Sequence, residues 1–232
     1  MVLPDVKEVF YDSAHWMLLQ GLRGKAVKIM DALAARSLSS AVYGSVARGD
    51  VNKKSDVDVI IPYATSSHTV ELALRMGGLQ IFSRRIAQAT PSHTPKAHIY
   101  LDAVDETCLT FPLTSFRSLE LEFYRFGGFQ QVEEIKTEKR VPGCDKRLRL
   151  IQPTQTGHVE SLIRGREREV ARIVGVGVRI VEERIRVLTR RERVGRTGIV
   201  FSRDLEEDEV FEEALKQVSD TNPIIRRRLA RK

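Results

Sequence analysis

The stretch from Ser39 to Ile61, SSAVYGSVARGDVNKKSDVDVII, places the tightest constraint on the fold. A short apolar run at Ala41 to Tyr43 leads into Gly44-Ser45, then a turn-rich segment carries Arg48-Gly49-Asp50, and a second apolar run carries Asp56 and Asp58. Residues i and i+2 of a strand point to the same face, so the two carboxylates repel each other unless a cation lies between them. A hard divalent ion such as Mg²⁺ takes carboxylate oxygens and leaves positions for substrate phosphates. The Gly-Ser turn supplies the other half. A residue without Cβ lets backbone N–H groups approach an anion, the Ser hydroxyl adds a donor, and the start of a helix favours negative charge. A surface hairpin would also alternate polar and apolar residues, but it does not account for the Gly-Ser turn or the Arg-Gly-Asp that follows.

With 232 residues the chain has ample material for a buried core, as one large domain or two small ones. No apolar run approaches the roughly 20 residues that span a bilayer, and Met1 to Asp12 has acidic residues and no apolar signal core. The expected location is the cytoplasm. Cys108 and Cys144 are far apart and lack metal-type spacing, so neither is read as a ligand, and a disulfide is not expected in a reducing compartment. Charge is unevenly placed: Lys139 to Arg196 holds 16 Lys and Arg against 7 Asp and Glu, more than the whole chain's net +7. Such a block is the footprint of a nucleic-acid partner, or else of surface ion-pair networks of the kind heat-adapted proteins build.

The G-S-x-x-R-G-D followed by S-D-V-D-V resembles the nucleotidyltransferase motif of the DNA polymerase β-like superfamily. The resemblance covers roughly Leu38 to Leu113. It implies that Asp56 and Asp58 bind two Mg²⁺ ions, that Gly44 and Ser45 hold the triphosphate of an NTP substrate, and that a third carboxylate on a neighbouring strand completes the site. Lys96 to Ala103 alternates as a strand with Asp102 on its polar face, which makes Asp102 the favoured third acid, ahead of Asp105 and Glu106 at a turn. Arg48 either offsets charge on the leaving pyrophosphate or pairs with Asp50.

The remaining elements read as follows. Asp5 to Arg36 has helical apolar spacing, with a break at Gly21 and Gly24, and no role falls to His15 or Trp16. Arg147 to Ile151 alternates as a strand, and Thr154 or Thr156 would cap a helix over Gly157 to Ile163. Val170-Ala171, Gly175, Val176, Val181 and Ile185 match the helix-turn-helix pattern of repressor-like DNA-binding domains. That resemblance implies a recognition helix near Val178 to Thr189 presenting Arg179 and Arg186, followed by phosphate contacts from Arg190, Arg191, Arg193 and Arg196 and a wing at Gly195 to Ser202. Glu182 and Glu183 on such a helix would repel phosphate unless they read cytosine amino groups. The last residues read as frayed, with Arg226, Arg227 and Arg228 able to grip phosphates.

The expected fold is α+β: a small mixed nucleotidyltransferase sheet flanked by helices over residues 1–138, then a basic, mostly helical winged-helix or helix-turn-helix domain over 139–232. The expected function is Mg²⁺-dependent transfer of NMP from an NTP to an acceptor with release of pyrophosphate, with nucleic acid, DNA before RNA, as partner. The alternative is a DNA-binding regulator that uses the same fold as a nucleotide sensor or scaffold.

Overall fold

In the computed structural model, residues 5–195 and 198–230 are described. Strand β1 (Lys7–Phe10) precedes helix α1 (Ser13–Ala34); β2 (Ala41–Tyr43), α2 (Ser45–Arg48) and β3 (Val57–Ile60) follow. Next come α3 (Ser67–Met76), β4 (Ser83–Gln88), β5 (Lys96–Tyr100), β6 (Thr107–Pro112) and α4 (Ser118–Phe126). The chain continues through β7 (Phe129–Gln131), α5 (Val132–Lys136), β8 (Gly143–Cys144), β9 (Arg149–Thr154), β10 (Gly157–Leu162), α6 (Glu167–Val174) and α7 (Val178–Val194). It ends with β11 (Phe201–Asp204), α8 (Phe211–Thr221) and α9 (Pro223–Ala230). Among the described residues no helix is long and apolar enough to cross a membrane.

Two compact units divide the chain, and the division does not fall at residue 139. The first comprises Met1–Val27, Ala41–Val57 and Ser118–Thr197; the second comprises Lys28–Ser40, Asp58–Arg117 and Gly198–Lys232. The basic segment therefore folds with the chain start and the Gly-Ser turn instead of standing alone. The reason lies in its apolar faces. Val170, Ala171, Ile180, Val181 and Leu188 of α6 and α7 are buried in one cluster with Phe126 of α4, Cys144 of β8 and Leu150 of β9.

In the first unit four strands run in the order β1-β10-β9-β8, all antiparallel, and β2 pairs antiparallel with β7. Strand β10 replaces the helix expected over Gly157 to Ile163. Its residues have ladder partners on both sides, Val9 facing His158 from β1 and Pro153 facing it from β9. Those partners are distant or turn-linked, so helical capping signals at Thr154 and Thr156 lose to sheet pairing. Gly157 is required by close approach, because a Cβ there would lie 1.8 Å from the Val9 carbonyl oxygen. Gly157→Ala should push β1 off the sheet and cost roughly 3 kcal/mol; an unchanged urea midpoint would contradict this.

In the second unit the strand order is β11-β4-β5-β6-β3. The fully buried β6 and the alternating β5 and β4 form its core with Ile86, Ile99, Leu109 and Phe111. Phe201 and Ser202, the end of the expected wing, instead begin β11, which pairs antiparallel with Arg85–Gln88 of β4. Arg196, expected as a phosphate contact, lies outside the described residues, as does part of the expected wing. The chain end is not frayed through Ala230: Pro223 opens α9, where its missing N–H costs nothing. Arg228 is buried and donates to Thr94 Oγ1 at 2.6 Å, so it is a packing residue and not a phosphate grip. Helix α1 passes through Gly21 and Gly24 without a break.

Candidate nucleotide site

The Gly-Ser turn lies where expected, between β2 and α2. Gly44 has φ 81° and ψ −147°, a conformation that in effect only glycine adopts. No atom lies within 4 Å of where its Cβ would sit, so the backbone demands glycine while the space beside it is open. Ser45 Oγ donates to Ser55 Oγ at 3.3 Å, and Ser55 Oγ also accepts the Asn52 N–H at 2.9 Å. The hydroxyls thus tie the loop that leads to exposed Asp56.

A four-residue helix has almost no intrinsic stability, and α2 is held by residues from elsewhere in its unit. The buried Arg23 guanidinium donates to the Val46 and Ala47 carbonyls, each at 3.2 Å, and to Gln130 Oε1. Burial, with the Arg140 charge second, lowers the Arg23 pKa to about 10. His15 Nε2 donates to the Gly49 carbonyl at 2.8 Å. Gly49, at φ 98°, lies under Arg140, whose Cδ would be 2.4 Å from a Cβ. The sequence carried no signal for Arg23, His15 or Arg140, because each acts through partners 23 to 107 positions away.

Arg48 is engaged by partners within its own unit. It is 5% exposed, and it grips Asp50 through two bonds of 2.9 Å and donates to the Gly127 and Cys144 carbonyls. Of the two roles open to it, pairing with Asp50 is the one found. In the same unit a cleft of about 390 Å³ is lined by Tyr11, His15, Asp50 and His158, among others. Tyr11 Oη and His158 Nδ1 lie 2.6 Å apart in it.

Asp58 sits on β3, half-buried between buried Val57 and Val59. In the second unit β6 neighbours β3, and Ile61 N–H donates to the Thr110 carbonyl at 2.9 Å. His98 Nδ1 lies 3.0 Å from Thr110 Oγ1 and 3.8 Å from Cys108 Sγ. Burial pushes the Cys108 thiol up to about 12, and the Asp58 and Asp105 charges add to the effect. Cys108 and Cys144 are both free and buried.

Asp102 is not on the strand, because β5 ends at Tyr100. Its Oδ1 accepts the Val104 N–H at 3.1 Å and the Glu106 N–H at 2.9 Å, closing the turn between β5 and β6. Partial burial would raise its pKa, but bonds from the Thr107 side chain and these N–H groups outweigh that and hold the carboxyl below its usual range. The alternation of Lys96 to Ala103 concealed this, since an Asx turn begins with the residue that would continue the pattern. Of its rivals, Asp105 lies 3.7 Å from Arg85 in the same turn. Among the described residues no group of three or more His, Cys, Asp or Glu side chains is placed to hold a metal ion.

His98 gives a pH prediction. Burial first, then the Lys96 and Arg85 charges, lowers its pKa from 6.5 to about 4. Unfolded chains then take up a proton that the folded imidazole refuses. This contribution to stability is complete above pH 6.5 and is lost as pH falls toward 4, with a slope of up to about 1.4 kcal/mol per pH unit. His98→Gln should remove that slope in denaturant titrations from pH 7 to 4; identical slopes in both proteins would rule it out.

Of the helix-turn-helix residues, α6 and α7 meet at Gly175, which adopts the left-handed φ 74°, ψ 40° that the resemblance requires. Arg179, Arg186, Arg190 and Arg191 are all exposed on α7.

Residues 24–106, a little over a third of the chain, match the nucleotidyltransferase domain family. No curated protein and no solved structure matches the chain. The family match supports nucleotidyl transfer as the general chemistry of that segment.

Proposed function

We propose that the protein transfers a nucleoside monophosphate from an NTP to an acceptor and releases pyrophosphate. The observation that carries this reading is the open, glycine-only turn at Gly44-Ser45 inside the segment that matches the nucleotidyltransferase family. The Gly44 backbone and Ser45 hydroxyl would hold the β- and γ-phosphates, and an acceptor oxygen would attack the α-phosphorus as its bond to the bridging oxygen breaks. Asp56 and Asp58 would hold a divalent ion, Mg²⁺ by the chemistry of their oxygens. The ion, when bound, neutralises charge developing on the phosphates. The two carboxylates would serve one such ion. A second would need a further acid, and Asp102 is engaged in its turn. Neither Asp102 nor Arg48 is part of this reading.

The exposed arginines of α7 support nucleic acid as a partner. A second reading, a regulator that senses nucleotide without turning it over, is favoured by the neutral Cys108, Thr110 and His98 beside β3. Labelled NTP with Mg²⁺, the protein and cell extract separates the two. A labelled product and released pyrophosphate support transfer; saturable NTP binding with no product in any extract fraction supports sensing.

A further inference from the structure

Many arginines of this protein make ion pairs. Arg48 holds Asp50, Arg84 holds Glu71, Arg85 holds Asp204, Arg147 and Arg149 both reach Glu160, and Arg203 holds Glu209. These are ion pairs of the kind that explain a charged surface without a ligand. The outer face of α7 is different. Arg179, Arg186, Arg190 and Arg193 are exposed there, and among the described residues none of them, nor Arg191, makes an ion pair. At 100° per residue these four fall within about 60° of one another, opposite buried Val181 and Leu188, over a length of about 21 Å.

The two ends of the stripe differ in sign. At the N-terminal end, Glu122 of α4 accepts the Gly177 N–H at 3.1 Å, and Glu182 and Glu183 follow within two turns. Acids thus lie on the first half of α7 and at its N-terminus, where a recognition helix would have to enter a groove. Arg186 lies four and three residues beyond Glu182 and Glu183, while Glu192, beside Arg190, Arg191 and Arg193 in sequence, is taken by Arg164 at 3.2 Å. Favourable interaction with the helix dipole explains cations in the last turn but not Arg186, which lies two turns before it.

We propose that the C-terminal half of α7 binds the phosphate backbone of duplex DNA without reading its sequence, and that the N-terminal end of α7 does not enter the major groove. The inference refines the nucleic-acid half of the proposed function and is independent of nucleotidyl transfer. A rigid row of guanidinium groups suits the regular phosphates of a duplex. Single strands are gripped by stacking their bases on aromatic rings, and residues 164–195 contain no aromatic side chain. Beside the stripe on α7 the exposed large apolar residue is Val194, far less than the apolar face that seats a helix in a lipid surface.

The test is fluorescence anisotropy of the full chain with two labelled duplexes of unrelated sequence across 50 to 300 mM salt, with no NTP present. Both duplexes should bind within about twofold of each other, and log K should fall with log salt at a slope of about −3 to −4. Arg186→Ala with Arg190→Ala and Arg193→Ala should flatten that slope by roughly 2.7, while Arg179→Ala should change affinity less than twofold. Strong preference for one duplex, lost with Arg179→Ala, would overturn the inference and leave a groove-reading helix in its place. An unflattened slope in the triple variant would place the contact elsewhere. Binding of the triple-variant-sensitive kind to phosphatidylserine vesicles but not to duplex would make the partner a membrane. No salt-dependent duplex binding at all would remove the inference together with the nucleic-acid partner, leaving transfer to be judged by pyrophosphate release.

Discussion

Asp58→Asn should lower NTP-dependent pyrophosphate release by on the order of 10³-fold, the scale on which electrostatic and metal contributions to phosphoryl transfer act. The substitution keeps the shape of a side chain that is half-buried on β3 between Val57 and Val59, so thermal unfolding should move little. It removes one of the two carboxylates that would hold the cation, and His98, Cys108 and Thr110 beside β3 cannot replace a lost charge. His98, Cys108 and Thr110 are all neutral near pH 7, His98 because its pKa is lowered to about 4 and Cys108 because its pKa is raised to about 12. The assay is a coupled pyrophosphate measurement with Mg²⁺, each NTP and an acceptor fraction from cell extract. Equal release by Asp58→Asn and the parent protein would end the transferase reading.

Arg48→Ala should produce the largest loss of stability of any single change around the turn. The guanidinium is 5% exposed and neutralises Asp50, whose side chain is itself 11% exposed. Removing one partner of a buried pair strands the other charge, at a cost of about 3–5 kcal/mol. Two carbonyl acceptors, on Gly127 and Cys144, lose their donor as well. For a chain of this size the melting temperature should fall by roughly 10 °C. Arg48→Lys should recover only part of this, because an ammonium group cannot make the two parallel bonds to Asp50. A variant of unchanged melting temperature that no longer bound NTP would instead return Arg48 to the phosphates.

How much of this was legible in the sequence depended on whether a signal was local. The Gly44-Ser45 turn, the left-handed Gly175 and the end of the strand before Pro62 were all readable, because each is dictated by the conformational range of one or two residues. Arg48 remained open between two roles, since a charged residue near the motif is ambiguous until its partner is known. Strand β10 was read as a helix because its ladder partners in β1 lie about 150 residues away. Asp102 was read one step too far along β5 because alternation continues into the turn that its carboxylate closes. The basic segment was read as a separate domain from its composition, which reports the solvent-facing side of α6 and α7. Their inner side, built from Val170, Ile180, Val181 and Leu188 against Phe126 and Leu150, decides which part of the chain they fold with.

The brace around α2 has a consequence for synthesis. When a growing chain has been made as far as residue 106, the whole segment that matches the nucleotidyltransferase family is present, both acids and the glycine turn included. The clasps on that turn are still unmade: Gly127 and Gly128, which meet Arg48 and Gly44; Gln130, which meets Arg23; Arg140, which covers Gly49; and Cys144. The nascent protein therefore carries the residues of the proposed site long before it can shape them, and NTP affinity should appear only once residues beyond 144 have left the ribosome.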